Sequence, residues 1–209
     1  IITITVLPAV TTANAGADQQ VCFTTAAILA GNTPTNGTGT WTVVPGAPSA
    51  VTFTNANNPS STVNGLVVGT YQFVWTISNG TCADSRDTVS LTVDPQTVPG
   101  TLSASNTVCA TSNNGTLTLS GYTSSILNWE SSIDNGASWI TIANTTNTLN
   151  YNNLSTTTQY RASVQSGVCA PQYSNIITIT VLPAVTTANA GTDQQVCFTT
   201  AAILAGNTP

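Results

Sequence analysis

The stretch Gly69-Thr-Tyr-Gln-Phe-Val-Trp-Thr-Ile-Ser-Asn-Gly80 sets how this chain folds. Tyr71, Phe73, Trp75 and Ile77 alternate with Gln72, Val74 and Thr76. A period of two places the four large apolar side chains on one face of a strand, toward a core. Ser78-Asn79-Gly80 then reads as a turn. Working outward, Trp41 and Val43 on one side, and Val89, Leu91 and Val93 on the other, supply opposing contacts. The strands expected in this half are 26–30, 39–44, 50–54, 61–64, 70–78 and 87–93, with turn clusters rich in Gly, Pro and Asn between them. Many short strands with turn signals mean a β-sandwich or barrel. The second half reads the same way, with strands at 115–120, 126–130, 138–142, 148–151, 158–165 and 174–181 and with Trp129 and Tyr160 among its core residues. No stretch has convincing helical periodicity.

The chain also repeats itself. Ile1 to Pro34 returns as Ile176 to Pro209, with Ala17 against Thr192 the one difference. Self-similarity at a fixed period is the mark of a repeat architecture. The expected organisation is residues 1–8 as the last strand of a preceding domain, 9–94 and 95–182 as two sandwiches, and 183–209 as the start of another sandwich of the 9–94 type. The 209 residues thus read as one period plus the beginning of the next, with ends cut from something longer; there is no Met, and no signal peptide is seen.

Composition narrows the chemistry. Charged residues make up 4%, against about 25% in ordinary domains. The two cations are Arg86 and Arg161, and the net charge is −5; clustered cations, which nucleic-acid binding needs, are missing. The absence of His excludes a Ser-His triad and His-ligated zinc, and the absence of Lys excludes Schiff-base catalysis. No apolar run is long enough for a transmembrane helix. No cofactor and no metal are expected.

Five cysteines remain. The interval from Cys22 to Cys82 equals the interval from Cys109 to Cys169. The simplest pairing is one bridge inside each sandwich, Cys22–Cys82 and Cys109–Cys169, with Cys197, the copy of Cys22, unpaired in this sequence. Free buried thiols are the alternative. The bridged reading requires Cys22 to lie beside Cys82, and it implies an oxidising, extracellular setting.

The segments AGADQQVC, LVVGTYQFVWTISNGTC and DTVSLTV resemble a PKD-like or Ig-like repeat. The segments TLSASNTVCA, LNWESSIDNGASW and TQYRASVQSGVCAPQYSNIITITV are similar to Ig-like modules of very large surface proteins of gliding, type IX-secreting bacteria. The resemblance implies an all-β fold of tandem Ig-like/PKD-like β-sandwich domains in a linear array, in secreted adhesins or surface filaments. In antibody-type domains a Tyr stands two residues before the second Cys; here Tyr71 and Tyr160 stand much further ahead of Cys82 and Cys169. A tyrosine-corner hydrogen bond is still expected, with the bridge placed elsewhere, near one domain end.

Four groups of residues invite a functional reading. Ser132, Asp134, Gly136 and Trp139 follow the S-x-D-x-G-x-x-W spacing of the Asp-box, a structural hairpin in sialidases and related proteins; a turn outranks a calcium site, because carboxylates are scarce. Glu130 and Asp134 make a weak glycosidase pair. Asp84, Arg86 and Asp87 read as a surface ion pair, and Thr88 in Asp87-Thr88-Val89 matches a short O-glycosylation acceptor pattern. Trp41, Trp75 and Trp129 point inward by alternation, whereas Trp139 is ambiguous as a sugar platform. The resulting expectation is a non-enzymatic, disulfide-stabilised structural segment of an extracellular filament or adhesin stalk at the cell surface. Its partners would be neighbouring repeats or filament subunits, with surface glycans a further candidate. The alternatives are a subunit of a non-covalent strand-exchange polymer, pilus-like, and a carbohydrate-binding accessory module.

Overall fold

The computed structural model describes residues 2–103, 105–110, 112–198, 201 and 203–206. These form two β-sandwiches in series, with sixteen strands and no helix among the described residues. The first sandwich contains β1 (Gln19–Cys22), β2 (Ala26–Ile28), β3 (Thr38–Val43), β4 (Thr52–Phe53), β5 (Thr62–Asn64), β6 (Gly69–Ser78) and β7 (Ser85–Asp94). One sheet has the order β1-β7-β6-β3 and the other β2-β5-β4. The alternation in β6 does what the sequence predicts: Tyr71, Phe73, Trp75 and Ile77 are all fully buried. They pack with Trp41, Val89, Leu91 and Val93. The Trp41 and Trp75 rings lie 4.9 Å apart. Their indole N–H groups donate to backbone carbonyls, Trp41 to Asn58 and Pro59, Trp75 to Asn32, as buried polar groups require. Gly39 is fixed by this packing, since a Cβ there would sit 2.0 Å from the Trp75 ring.

The second sandwich contains β8 (Pro99–Leu102), β9 (Asn106–Cys109), β10 (Asn114–Tyr122), β11 (Ser125–Ser132), β12 (Ile140–Ile142), β13 (Thr148–Asn152), β14 (Thr158–Gln165), β15 (Gln172–Tyr173) and β16 (Ile177–Leu182). Its sheets are β13-β10-β8 and β12-β11-β14-β16-β9, with β15 on β14. Trp129 and Tyr160 sit in its core with Leu117, Leu119, Ala162, Val164, Ile177 and Ile179.

Two features depart from the expected pattern. First, β8 and β15 are strands the sequence does not announce, and so are β1 and β9, which pair parallel with β7 and β16. All four are too short to show an alternation. Second, residues 2–7 form no strand. Ile2, Ile4 and Val6 are 85–93% exposed, although the same sequence at Ile177–Leu182 is β16, with Ile177 and Ile179 buried. A strand needs a neighbour to take its backbone N–H and C=O groups, and residues 2–7 have none here. Ile1 lies outside the described residues.

Residues 183–198 likewise form no strand. Yet they keep the turn contacts of their earlier copy. Gly191 N–H donates to Asn189 Oδ1 at 2.8 Å, as Gly16 does to Asn14 Oδ1, and Gln194 Nε2 donates to Ile203 O, as Gln19 does to Ile28 O.

Candidate functional site

The joint between the sandwiches is built from the end of β7, the linker 95–98 and the turn after β14. Asp94 closes β7 opposite Cys22, the last residue of β1. Phe23 N–H donates to Asp94 O, and the Asp94 carboxylate accepts from Gln20 Nε2 on its own sandwich and from Val168 N–H on the other. The backbone of Gly167 lies against that carboxylate; a Cβ there would overlap Asp94 Oδ2 at 1.8 Å. The linker is pinned too. Thr123 exchanges hydrogen bonds with Val98 and donates to Gln96 O, while Thr97, which is buried, accepts from Ser166 N–H.

At the centre stands a disulfide, Cys22–Cys169, with S–S 2.05 Å and Cα–Cα 4.7 Å. This corrects the pairing expected from spacing. Neither Cys22–Cys82 nor Cys109–Cys169 forms; Cys82, Cys109 and Cys197 are free thiols. The reason is the length of β7. Cys22 lies beside Asp94 at one pole of the first sandwich, whereas Cys82 lies in the turn that precedes Ser85 at the other. The full length of that strand separates them by roughly 30 Å, and a disulfide needs Cα atoms within about 7 Å. Equal spacing reflects equivalent positions in two similar sandwiches, not contact within each. The bridge therefore joins two sandwiches and closes neither on itself.

The other candidates resolve simply. Ser132, Asp134 and Gly136 form a tight turn, with Ser132 Oγ donating to Asp134 Oδ1 and accepting from Gly136 N–H, and with Ser138 donating to the Asp134 carboxylate from both N–H and Oγ. Those Ser138 and Ser132 bonds hold the Asp134 carboxyl down at about 2. Glu130 is bound to Arg161 at 2.7 Å. The Arg161 guanidinium lies between the Trp139 ring, at 4.0 Å, and the Tyr173 ring, at 3.9 Å. Trp139 therefore covers a cation, and the Glu130 carboxylate is committed to an ion pair. Asp84 pairs with Arg86 at 3.2 Å on the surface, whereas Asp87 accepts from Ala15 N–H. Thr88 is exposed on β7. Tyr71 Oη makes the corner, accepting from Val67 N–H and contacting Ser49 Oγ at 2.6 Å. Tyr160 is a core residue whose hydroxyl is pushed up by burial. Trp41, Trp75 and Trp129 are 0–1% exposed and can stack on no sugar. No group of His, Cys, Asp and Glu suited to a metal occurs among the described residues, and no helix among them is long and apolar enough to cross a membrane.

The sequence reads residues 94–100 as the linker, with Asp94 and Thr97 in it, but gives neither of them, nor Gly167, a role in pinning the joint. The signal available was weak: Asp94 directly precedes the linker proline, and Gly167 directly precedes the Val-Cys turn.

Residues 15–93 match the K319L-like, PKD domain family, and residues 98–183 match a domain of unknown function (DUF8696). The chain carries PKD/Ig-like domains. No curated protein matches it. Among solved structures, three N-terminal domains of the bacteriophage RB49 Highly Immunogenic Outer Capsid protein are similar at 10% identity and TM-score 0.55, over 83% of this chain and 70% of that one. Murine CEACAM1b is similar at 17% identity and TM-score 0.51, over 78% and 96%. A three-Ig fragment of titin is similar at 15% identity and TM-score 0.50, over 81% of this chain. The chain spans 64% of that titin fragment's length. These identities bear on the fold alone.

Proposed function

We propose that this chain is a load-bearing segment of an extracellular filament or adhesin stalk, a tandem array in which residues 9–94 and 95–182 alternate. The observation that carries the reading is the Cys22–Cys169 bridge across a pinned joint, taken with the return of Ile1 to Pro34 at Ile176 to Pro209. A bridge between beads replaces the expected bridge inside each, and it is mechanically stronger. Tension along the array enters at Cys22, crosses the sulfur bridge and leaves at Cys169, so the chain between them bears no load. Only the segment from Cys169 to Cys197, the next copy of Cys22, is left to extend. At about 3.5 Å per residue, one oxidised period extends to roughly 100 Å, whereas a reduced one unravels to roughly 600 Å. Sparse charge makes the surface insensitive to salt.

Single-molecule pulling of the tandem protein tests this. Oxidised molecules should yield short steps or none, and adding reductant should release steps of whole domains. Equal step lengths in both conditions would sink the proposal.

A second reading has one observation in its favour. Residues 2–7 are exposed yet identical to β16, so separate chains could exchange this strand, as in donor-strand polymers. A denaturing, reducing gel separates the two: an array runs far above 21.3 kDa, whereas a strand-exchange polymer collapses to that size.

A further inference from the structure

The two remaining thiols of each period occupy the same places as the two that are bonded. Cys109 ends β9 opposite Leu182, as Cys22 ends β1 opposite Asp94. Ala110 N–H donates to Leu182 O at 2.8 Å, as Phe23 N–H donates to Asp94 O at 2.9 Å. At the opposite pole, Cys82 Sγ lies 3.7 Å from Pro8 O, as Cys169 Sγ lies 3.4 Å from Pro95 O. Pro183 follows Leu182 as Pro95 follows Asp94, and the sequence from Ile176 repeats that from Ile1. Each half of a second stapled joint is therefore already built, Cys109 on the outgoing pole and Cys82 on the incoming one. Both thiols are accessible: Cys109 is exposed and Cys82 half-buried.

We infer that Cys109 of one period forms a disulfide with Cys82 of the next period in the same polypeptide, so that every joint of the array is stapled. This rests on the array reading above. Each thiol gives up its hydrogen and one sulfur–sulfur bond forms. A small-molecule disulfide such as oxidised glutathione takes the two electrons and two protons and leaves as two thiols.

The consequence is a second covalent route. One route runs through the Cys22–Cys169 bridge and then along the backbone from Cys169 to Cys197. The other runs along the backbone from Cys82 to Cys109 and then through the proposed bridge. The two share no backbone. Either one alone would cap a period at roughly 100 Å, so losing one class of bridge still keeps the array from unravelling.

The alternating joints are not chemically equal. Asp94 in the first is replaced by Leu182, and by its copy Leu7, in the second. The first joint is fixed by carboxylate hydrogen bonds and the second presents an apolar residue at that place.

The test is peptide mapping of the native protein. Free thiols are alkylated, the chain is cut with chymotrypsin and an Asp-specific protease, and masses are read before and after reduction. The expected result is two linked pairs in similar yield, Cys22 with Cys169 and Cys82 with Cys109. Both should vanish on reduction. Recovery of Cys82 or Cys109 as the alkylated thiol, or joined to another partner, overturns the inference. The size of the reduced, denatured chain is read in parallel. A large chain with alkylated Cys82 and Cys109 overturns the staple and leaves the array. A linked pair from chains of about 21.3 kDa overturns both the array and the in-chain staple, and moves the bond to contacts between separate copies.

Discussion

Gly167 shows how much a single residue governs here. Its φ is +47°, and its counterpart Gly80 has φ +79°. A Cβ on Gly167 would overlap Asp94, whereas one on Gly80 meets nothing within 4 Å. Gly167→Ala should therefore destabilise by about 1–3 kcal/mol through backbone strain and also displace Asp94. Gly80→Ala should show the strain alone. Thermal unfolding gives the first quantity, and amide exchange at Val168 reports the second. Tyr71→Phe removes the corner hydroxyl from Val67 N–H and Ser49; a loss of about 1–2 kcal/mol is expected in denaturant unfolding. Asp134 has a pH signature. Its carboxyl is lowered from 3.8 to about 2. A group depressed on folding adds stability above its unfolded value and loses it as pH falls through the folded one. The 132–139 turn should thus be intact at pH 4 and loosen toward pH 2; an NMR titration of Asp134 with a midpoint near 3.8 would refute this.

Among the strands, the short parallel β1 decides the joint between the two sandwiches, and β9 would decide the one proposed with the next period. Each ends on a cysteine placed at the outgoing pole by pairing with the last long strand of its sandwich. Cys169→Ser should leave both sandwiches folded, because neither core contains the bridge. Its effect should appear in the relative motion of the two. Small-angle scattering of this variant should show a broader distance distribution than the oxidised chain, with circular dichroism unchanged. A collapse of the strand signal would mean that the bridge supports a core after all. The long strands were legible because β6, β7 and β14 alternate large apolar residues with polar ones. β1 and β9 were not legible, since QQVC and NTVC carry no period and draw their register from a neighbour.

Across the molecule as one object, the bridge turns two beads into a single mechanical unit. Reductant should therefore change extensibility far more than it changes the stability of either bead. Calorimetry and pulling on the same sample compare the two. In the proposed array, a change at one joint is felt chiefly by the two repeats that meet there.

The all-β architecture, the repeat, the buried aromatic faces and the turn at Asp134 could all be read from the residues in order, because alternation and turn chemistry are local. Which sulfurs meet could not. Cysteines with a sequence separation of 147 are brought together by stacking one sandwich on the next, whereas the more closely spaced Cys22 and Cys82 are held at opposite ends of a rigid strand. Separation along a chain sets no distance once a strand of fixed rise lies between its ends.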